Sequence, residues 1–137
     1  MFIVDVNTEA AEDFVDQLNK KHSKSAFFAR CDVFSWDDLT SAFTKALETL
    51  DRIDYVFPIA GLTERAVIPK PSEQRDVRKF GFVKPDMTVL DVNLTGMINL
   101  ILIAVQAFRM QDAKDELGGM RGKGVPCQFM VVSRWGW

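Results

Sequence analysis

Several side chains in this 137-residue chain have the types and spacing to do chemistry together. Asp5 follows the short apolar run Phe2-Ile3-Val4, and Asp32 follows Ala26–Cys31. Carboxylates so placed accept hydrogen bonds from ligand hydroxyls, or else cap the turn that comes next. Ala60-Gly61 closes a third run, Ile53–Ile59, and offers backbone that a flat ring or a sugar can approach closely, since neither residue has a bulky side chain. Further on, Asp91-Val92-Asn93-Leu94-Thr95-Gly96 opens a long apolar helix. An amide is a mediocre helix former, so Asn93 at that place implies a task for its side chain or its carbonyl. Gly96, one turn later, lets a neighbouring element pack closely. Ser133 ends a last apolar run.

The elements that position these groups follow from periodicity. Phe2-Ile3-Val4 reads as a buried strand ending at Asp5. Asn7 or Thr8 can cap the next helix, with Glu9 and Glu12 at its positive end, Ala11, Phe14, Val15 and Leu18 on one face, and Lys20, Lys21 and Lys24 near its C-terminus. Ala26–Cys31 is a second strand. Ser35 caps a helix with the stripe Trp36, Leu39, Phe43, Leu47 and Leu50. Ile53–Ile59 is a third strand, apolar enough to be covered on both faces. Residues 62–85, punctuated by Pro69, Pro71 and Pro85 and bearing Arg75, Arg78 and Lys79, read as a long surface loop. A helix from about Met87 to Met110 follows, then a Gly-rich turn, Gly118–Gly124, and a final strand near Gln128–Val132. Strand–helix alternation of this kind implies parallel βαβ units with right-handed crossovers. The expected fold is α/β: a partial Rossmann-like, doubly wound parallel sheet with helices on both faces, in a single domain spanning residues 1–137.

Composition narrows the partners. Apolar residues make up 47% and charged residues 26%, the balance of a soluble globular protein. A net charge of −2 carries no basic footprint for nucleic acid or a membrane surface. The greasiest stretch, Met97–Phe108, reads as too short to span a bilayer and as a core or interface helix. Cys31 and Cys127 give no metal or disulfide spacing and read as reduced thiols of a cytoplasmic protein. The single His22, in a Lys-rich helix end, leaves no Ser-His-Asp or His-metal scheme.

A parallel sheet of this type binds ligands at the carboxyl ends of its strands, where Asp5, Asp32, Ala60-Gly61 and Ser133 all fall. A carboxylate just past the second strand of a dinucleotide-binding fold bonds the adenosine ribose hydroxyls and repels a 2′-phosphate, so Asp5 favours NAD over NADP. The order Asp5, Cys31-Asp32-Val33, Ala60-Gly61, Asp91-Val92-Asn93-Leu94-Thr95-Gly96 resembles the short-chain dehydrogenase/reductase family, from that family's second strand to its fifth. The resemblance implies hydride transfer between nicotinamide and a small alcohol or carbonyl substrate. It implies that Asp5 binds the adenosine ribose, that Asp32 and Val33 flank the adenine, and that Ala60 and Gly61 lie toward the nicotinamide. It further implies that Asn93 supports a proton relay through a water, that Ser133 orients substrate, and that the Asn93 helix joins subunits of a homo-oligomer.

The departures matter as much. Pro58-Ile59 stand where the family has Asn-Asn before Ala-Gly. The family's phosphate-binding Gly-rich loop belongs before Asp5, and Gly118–Gly124 is no substitute because it precedes a strand instead of opening a helix. The family's acid/base is a Tyr with a Lys four residues on, whereas the only tyrosine here, Tyr55, has Ile59 at that spacing. Register also leaves Arg134 as an alternative to Ser133. The chain is therefore expected to be catalytically inactive alone and to bind NAD weakly or not at all. With the family's strand order 3-2-1-4-5, the strands on either side of the absent first strand are expected to leave a marginal sheet or to close directly on each other. Two other readings stand beside this one: a non-catalytic oligomerisation partner of full-length relatives, and an S-adenosylmethionine-dependent methyltransferase-like domain, which the Asn93 helix start does not fit.

Overall fold

The computed structural model describes residues 1–22, 25–63, 76–111 and 129–132. Its frame is a four-stranded, wholly parallel sheet of β1 (Phe2–Asp5), β2 (Phe27–Arg30), β3 (Tyr55–Pro58) and β4 (Phe129–Val132). Helix α1 (Thr8–Lys21) packs on one face, and α2 (Trp36–Leu50) and α5 (Met97–Met110) pack on the other. That is the doubly wound α/β arrangement the alternation implies.

β1 shows why the layers form. Phe2 and Val4 point into the main core with Leu39, Phe43, Ile53, Leu100 and Met130, while Ile3 points to the smaller cluster with Val15 and Ala26. Side chains alternate across a strand, so a four-residue apolar run buried on both faces needs a helix above and another below. Asn7 is the residue that caps α1, its Oδ1 accepting from the Ala10 N–H at 3.2 Å. Ser35 caps α2 in the same way, from the Asp38 N–H at 3.2 Å. In α2 the core stripe is Leu39, Ala42, Phe43, Ala46 and Leu50, whereas Trp36 lies exposed at the first turn.

The strand order is β2-β1-β4-β3, and it revises the expectation about the middle of the sheet. β1 and β3 do not close on each other. The C-terminal strand runs between them, with Phe2 opposite Met130 on one side and Tyr55 opposite Phe129 on the other. Two inner strand edges each need backbone partners, and one short apolar strand satisfies both. Met130 is fully buried as a result. β3 becomes a sheet edge, and Tyr55 and Phe57 on one of its faces are 49% and 42% exposed, so the expectation of cover on both faces fails. Their rings stack at 6.3 Å.

The described part of the 62–85 stretch contains a short helix, α3 (Val77–Phe80), capped by Asp76 and ended by Gly81 at φ 73°, where the absence of a side chain is required. The long helix is continuous over Thr88–Met110: α4 (Thr88–Leu90), a π-helical turn Asp91–Gly96, then α5. The stretch Met97–Phe108 is thus part of a longer helix, which at 23 residues is by length and composition long and apolar enough to cross a membrane. One of its faces is instead packed against the sheet layer through Val92, Gly96, Leu100, Ile103, Ala104 and Ala107. Leu94, Ile98, Ile101, Leu102 and Val105 stay exposed on the rest. The Gly118–Gly124 turn, Cys127, Ser133 and Arg134 lie outside the described residues.

Candidate functional site

Because every strand is parallel, Asp5, Arg30 and Pro58 end on one edge, and the segments that leave them are neighbours there. The first runs Asp5–Asn7, the second Cys31–Ser35 and the third Ile59–Leu62.

The second segment is held by a residue the sequence reading missed. Asp38, in the first turn of α2, accepts from the Asp32 N–H at 2.9 Å and the Ser35 hydroxyl at 3.2 Å, and pairs with Arg30 at 3.4 Å. The signal was present: Ser35-Trp36-Asp37-Asp38 has the spacing of a capping box, which ties a helix start to the chain before it. Asp32 itself accepts from the Phe34 N–H at 3.2 Å, and its carbonyl accepts from Ser35. Asp32 thus shapes the turn that presents Val33. Beside it, burial pushes the Cys31 thiol up to about 12, with the Asp38 and Asp32 carboxylates acting in the same direction. Cys31 is an inert core thiol, not a nucleophile.

Asn93 sits inside the π-helical turn, and its carboxamide reaches across to the third segment. Its Oδ1 accepts from the Leu62 N–H at 2.8 Å and its Nδ2 donates to the Leu62 carbonyl at 2.9 Å. The same Oδ1 would lie 3.5 Å from a Cβ placed on Gly61. A π-turn inserts an extra residue and re-aims the carbonyls around it, a feature found mostly at functional sites. The amide that looked out of place in an apolar helix therefore docks the Ala60-Gly61 turn onto that helix.

Gly96 brings the helix onto the second segment. A Cβ there would come within 3.1 Å of Val33 Cγ2 and 3.2 Å of the Val33 carbonyl oxygen. Between these approaches Val33, Pro58, Ala60, Val92, Gly96, Met97 and Leu100 enclose an apolar recess of about 180 Å³, its open mouth included. Ligand pockets typically hold about 300–1,000 Å³, whereas the space here that is clear of protein atoms has room for about one water, some 10 Å³, so the recess is a shallow apolar crevice. Val33, from the second segment, and Ala60, from the third, both line that crevice.

Asp5 stands apart. It is at the tip of β1 but only 1% exposed, and its carboxylate accepts from the Asn7 N–H at 2.8 Å. In this structure it shapes the turn into α1 and presents no open face to a ribose. Ser133 lies outside the described residues, so its placement beside the other groups is not part of this geometry. Among the described residues, no cluster of His, Cys, Asp or Glu is arranged to hold a metal ion.

Comparison with known proteins agrees with this architecture. The family model for short chain dehydrogenase matches residues 1–116. The chain is 32% identical over 105 residues to 3-hydroxyacyl-CoA dehydrogenase type-2 of Bos taurus, covering 75% of this chain and 37% of that protein. It is 30% identical over 110 residues to the NADP-dependent dehydrogenase clz5 of Cochliobolus lunatus, covering 80% of this chain and 37% of that one. A solved short chain dehydrogenase from Mycobacterium smegmatis matches with a TM-score of 0.61 at 24% identity, over 81% of this chain and 41% of that chain. The chain spans well under half the length of these relatives. With the Asp32-Val33 turn, the Ala60-Gly61 turn and the Asn93 helix assembled at one sheet edge, and a family match over most of its length, the chain belongs to the short chain dehydrogenase family.

Proposed function

We propose that these 137 residues supply the adenosine-binding edge and a subunit-joining helix of a nicotinamide-dependent oxidoreductase acting on a small alcohol or carbonyl compound. The observation that carries this reading is the two-point contact of Asn93 with Leu62, which holds the Ala60-Gly61 turn against the Val33 recess. We read that apolar crevice, lined by both Val33 and Ala60, as the rim against which a flat ring edge would lie. When bound, the nicotinamide accepts or donates the hydride. The chain's own residues bind and orient the adenosine half and keep water from the recess. Asn93, its carboxamide engaged by Leu62, is left to serve a proton relay through its main-chain carbonyl. A proton-donating Tyr with a Lys four residues on is not among these residues, since Tyr55 lies on β3 and is followed by Ile59 at that spacing. We therefore expect no turnover from this chain alone.

The charge of the edge supports NAD over NADP. Asp32 and Asp38 lie together there, and the one nearby guanidinium among the described residues, Arg30, is paired with Asp38. A 2′-phosphate would meet net negative charge. The Cochliobolus relative bears an NADP-dependent name, so this preference rests on the acidic side chains of this chain. The exposed Leu94, Ile98, Ile101, Leu102 and Val105 face supports pairing of this helix with a second copy of the family fold.

Calorimetric titration of the purified chain with NAD, NADP and S-adenosylmethionine tests the reading. Weak binding of NAD, in the millimolar range, with NADP weaker still and no S-adenosylmethionine binding, is expected. Tighter binding of NADP would overturn the charge argument, and binding of S-adenosylmethionine in place of NAD would overturn the proposal itself.

A further inference from the structure

Two carboxamides at opposite ends of the long helix make the same contact. Asn93 takes both backbone groups of Leu62, at 2.8 and 2.9 Å. Gln111, immediately after α5, takes both backbone groups of Ile53: its Oε1 accepts from the Ile53 N–H at 2.6 Å and its Nε2 donates to the Ile53 carbonyl at 2.9 Å. Each pairing copies one rung of a β-ladder. Ile53 and Leu62 bracket β3, one before its start and the other beyond the Ala60-Gly61 turn.

The lengths agree. Asn93 and Gln111 are 18 residues apart on the helix, which at about 1.5 Å per residue spans roughly 27 Å. Ile53 and Leu62 are 9 residues apart with β3 between them, a path that at about 3.3 Å per residue spans at most roughly 30 Å. The two distances differ by about one strand residue. A slip of β3 by a single residue would break both pairs and would also turn the strand's faces over.

We propose that Gln111 is a positioning residue: with Asn93 it makes the helix a ruler that sets the axial register of β3 and thereby the place of the Ala60-Gly61 turn. The proposal rests on the reading of that turn as part of the cofactor edge only for its consequence. The register itself is measurable without any cofactor. A merely local role for Gln111 would be to close the loop before β3, and it predicts no effect at Leu62.

Hydrogen exchange of individual backbone amides separates the two. In Gln111→Ala, faster exchange by about tenfold or more is expected at Ile53 and at Leu62, with amides in the middle of α2, such as Phe43, unchanged. Faster exchange at Ile53 alone would overturn the ruler. Gln111→Glu supplies a second arm should the alanine variant fold poorly. A protonated Glu carboxyl can both accept from the Ile53 N–H and donate to its carbonyl, whereas the carboxylate can only accept. Protection at Ile53 and Leu62 should therefore return as pH falls through the carboxyl range. The charged groups flanking this contact are Arg52, Asp54 and Arg109, so the unmodified chain at each pH is the reference. A Glu variant whose Leu62 exchange is indifferent to pH would contradict the proposal. Absence of NAD binding to the unmodified chain would count against the cofactor reading and leave this result standing.

Discussion

Gly96→Ala isolates the contact on which the recess depends. Gly96 has an ordinary right-handed helical backbone, φ −59° and ψ −41°, so alanine should gain about 1 kcal/mol from helix propensity alone. Against this, the new methyl would sit 3.1 Å from Val33 Cγ2, 3.2 Å from the Val33 oxygen and 3.4 Å from its carbonyl carbon. Val is stiff at χ1, and the backbone of this turn is pinned by the Asp32 N–H on Asp38 and by Ser35 on the Asp32 carbonyl. Overpacking against such a neighbour costs about 1–3 kcal/mol. The overpacking term wins, leaving a net loss of roughly 1 kcal/mol and a fall in melting temperature of about 3–5 °C. Urea unfolding followed by circular dichroism reads the change directly. In a Val33→Ala background the Cγ2 clash disappears while the carbonyl clash stays, so the penalty should shrink without reversing. A Gly96→Ala variant more stable than the parent would refute the reasoning, because it would mean the helix and the Val33 turn can move apart at no cost.

Other perturbations reach different parts of the account. Val131→Pro removes a ladder N–H from the strand between Ile3 and Phe57, and a loss of about 3 kcal/mol or failure to fold is expected; a near-native urea midpoint would show that β4 does not hold the middle of the sheet. Arg52→Met removes a guanidinium whose Nε donates to the mostly buried Asp54 carboxylate at 2.8 Å, and should cost about 2 kcal/mol, whereas changing both residues to apolar ones should restore much of it in the same unfolding assay. Cys31 titrates in the folded state only near 12 against an ordinary value of 9.0. The unfolded thiol ionises first, so this contribution to stability is complete below pH 9 and is lost as pH rises toward 12; Cys31→Ala should flatten that alkaline slope. Lysine substitutions at Ile101 and Leu102, both 52% exposed, should leave the melt unchanged while dispersing any self-association seen on size exclusion.

The elements were legible in the sequence wherever local chemistry decided them. Phe2-Ile3-Val4 ended at Asp5 as its apolar run required, and the Ser35 cap and the helix around Asn93 followed from residue types alone. What pattern could not show was pairing between distant segments. Nothing in the apolar sequence Phe129–Val132 distinguishes a strand beside β3 from one between β1 and β3, because either place suits a short apolar run. The exposure of Tyr55 and Phe57 follows from that placement and was hidden for the same reason. Asp5 read as a ligand group because strand-tip carboxylates often are, yet its burial is a property of the assembled sheet. Asp38 and Gln111 were not singled out. Asp38 had a local signature in its capping box, whereas the contact of Gln111 with Ile53 spans 58 positions and leaves no trace in local spacing.

The proposed adenosine edge is tested most directly by titrating the isotopically labelled chain with ADP-ribose and following backbone amide resonances. The account predicts that Val33, Ala60, Gly61 and Leu62 shift together and saturably, while the exposed face around Ile98 and Leu102 does not. Saturable shifts confined to other surfaces, or none at these four amides at millimolar ligand, would contradict it.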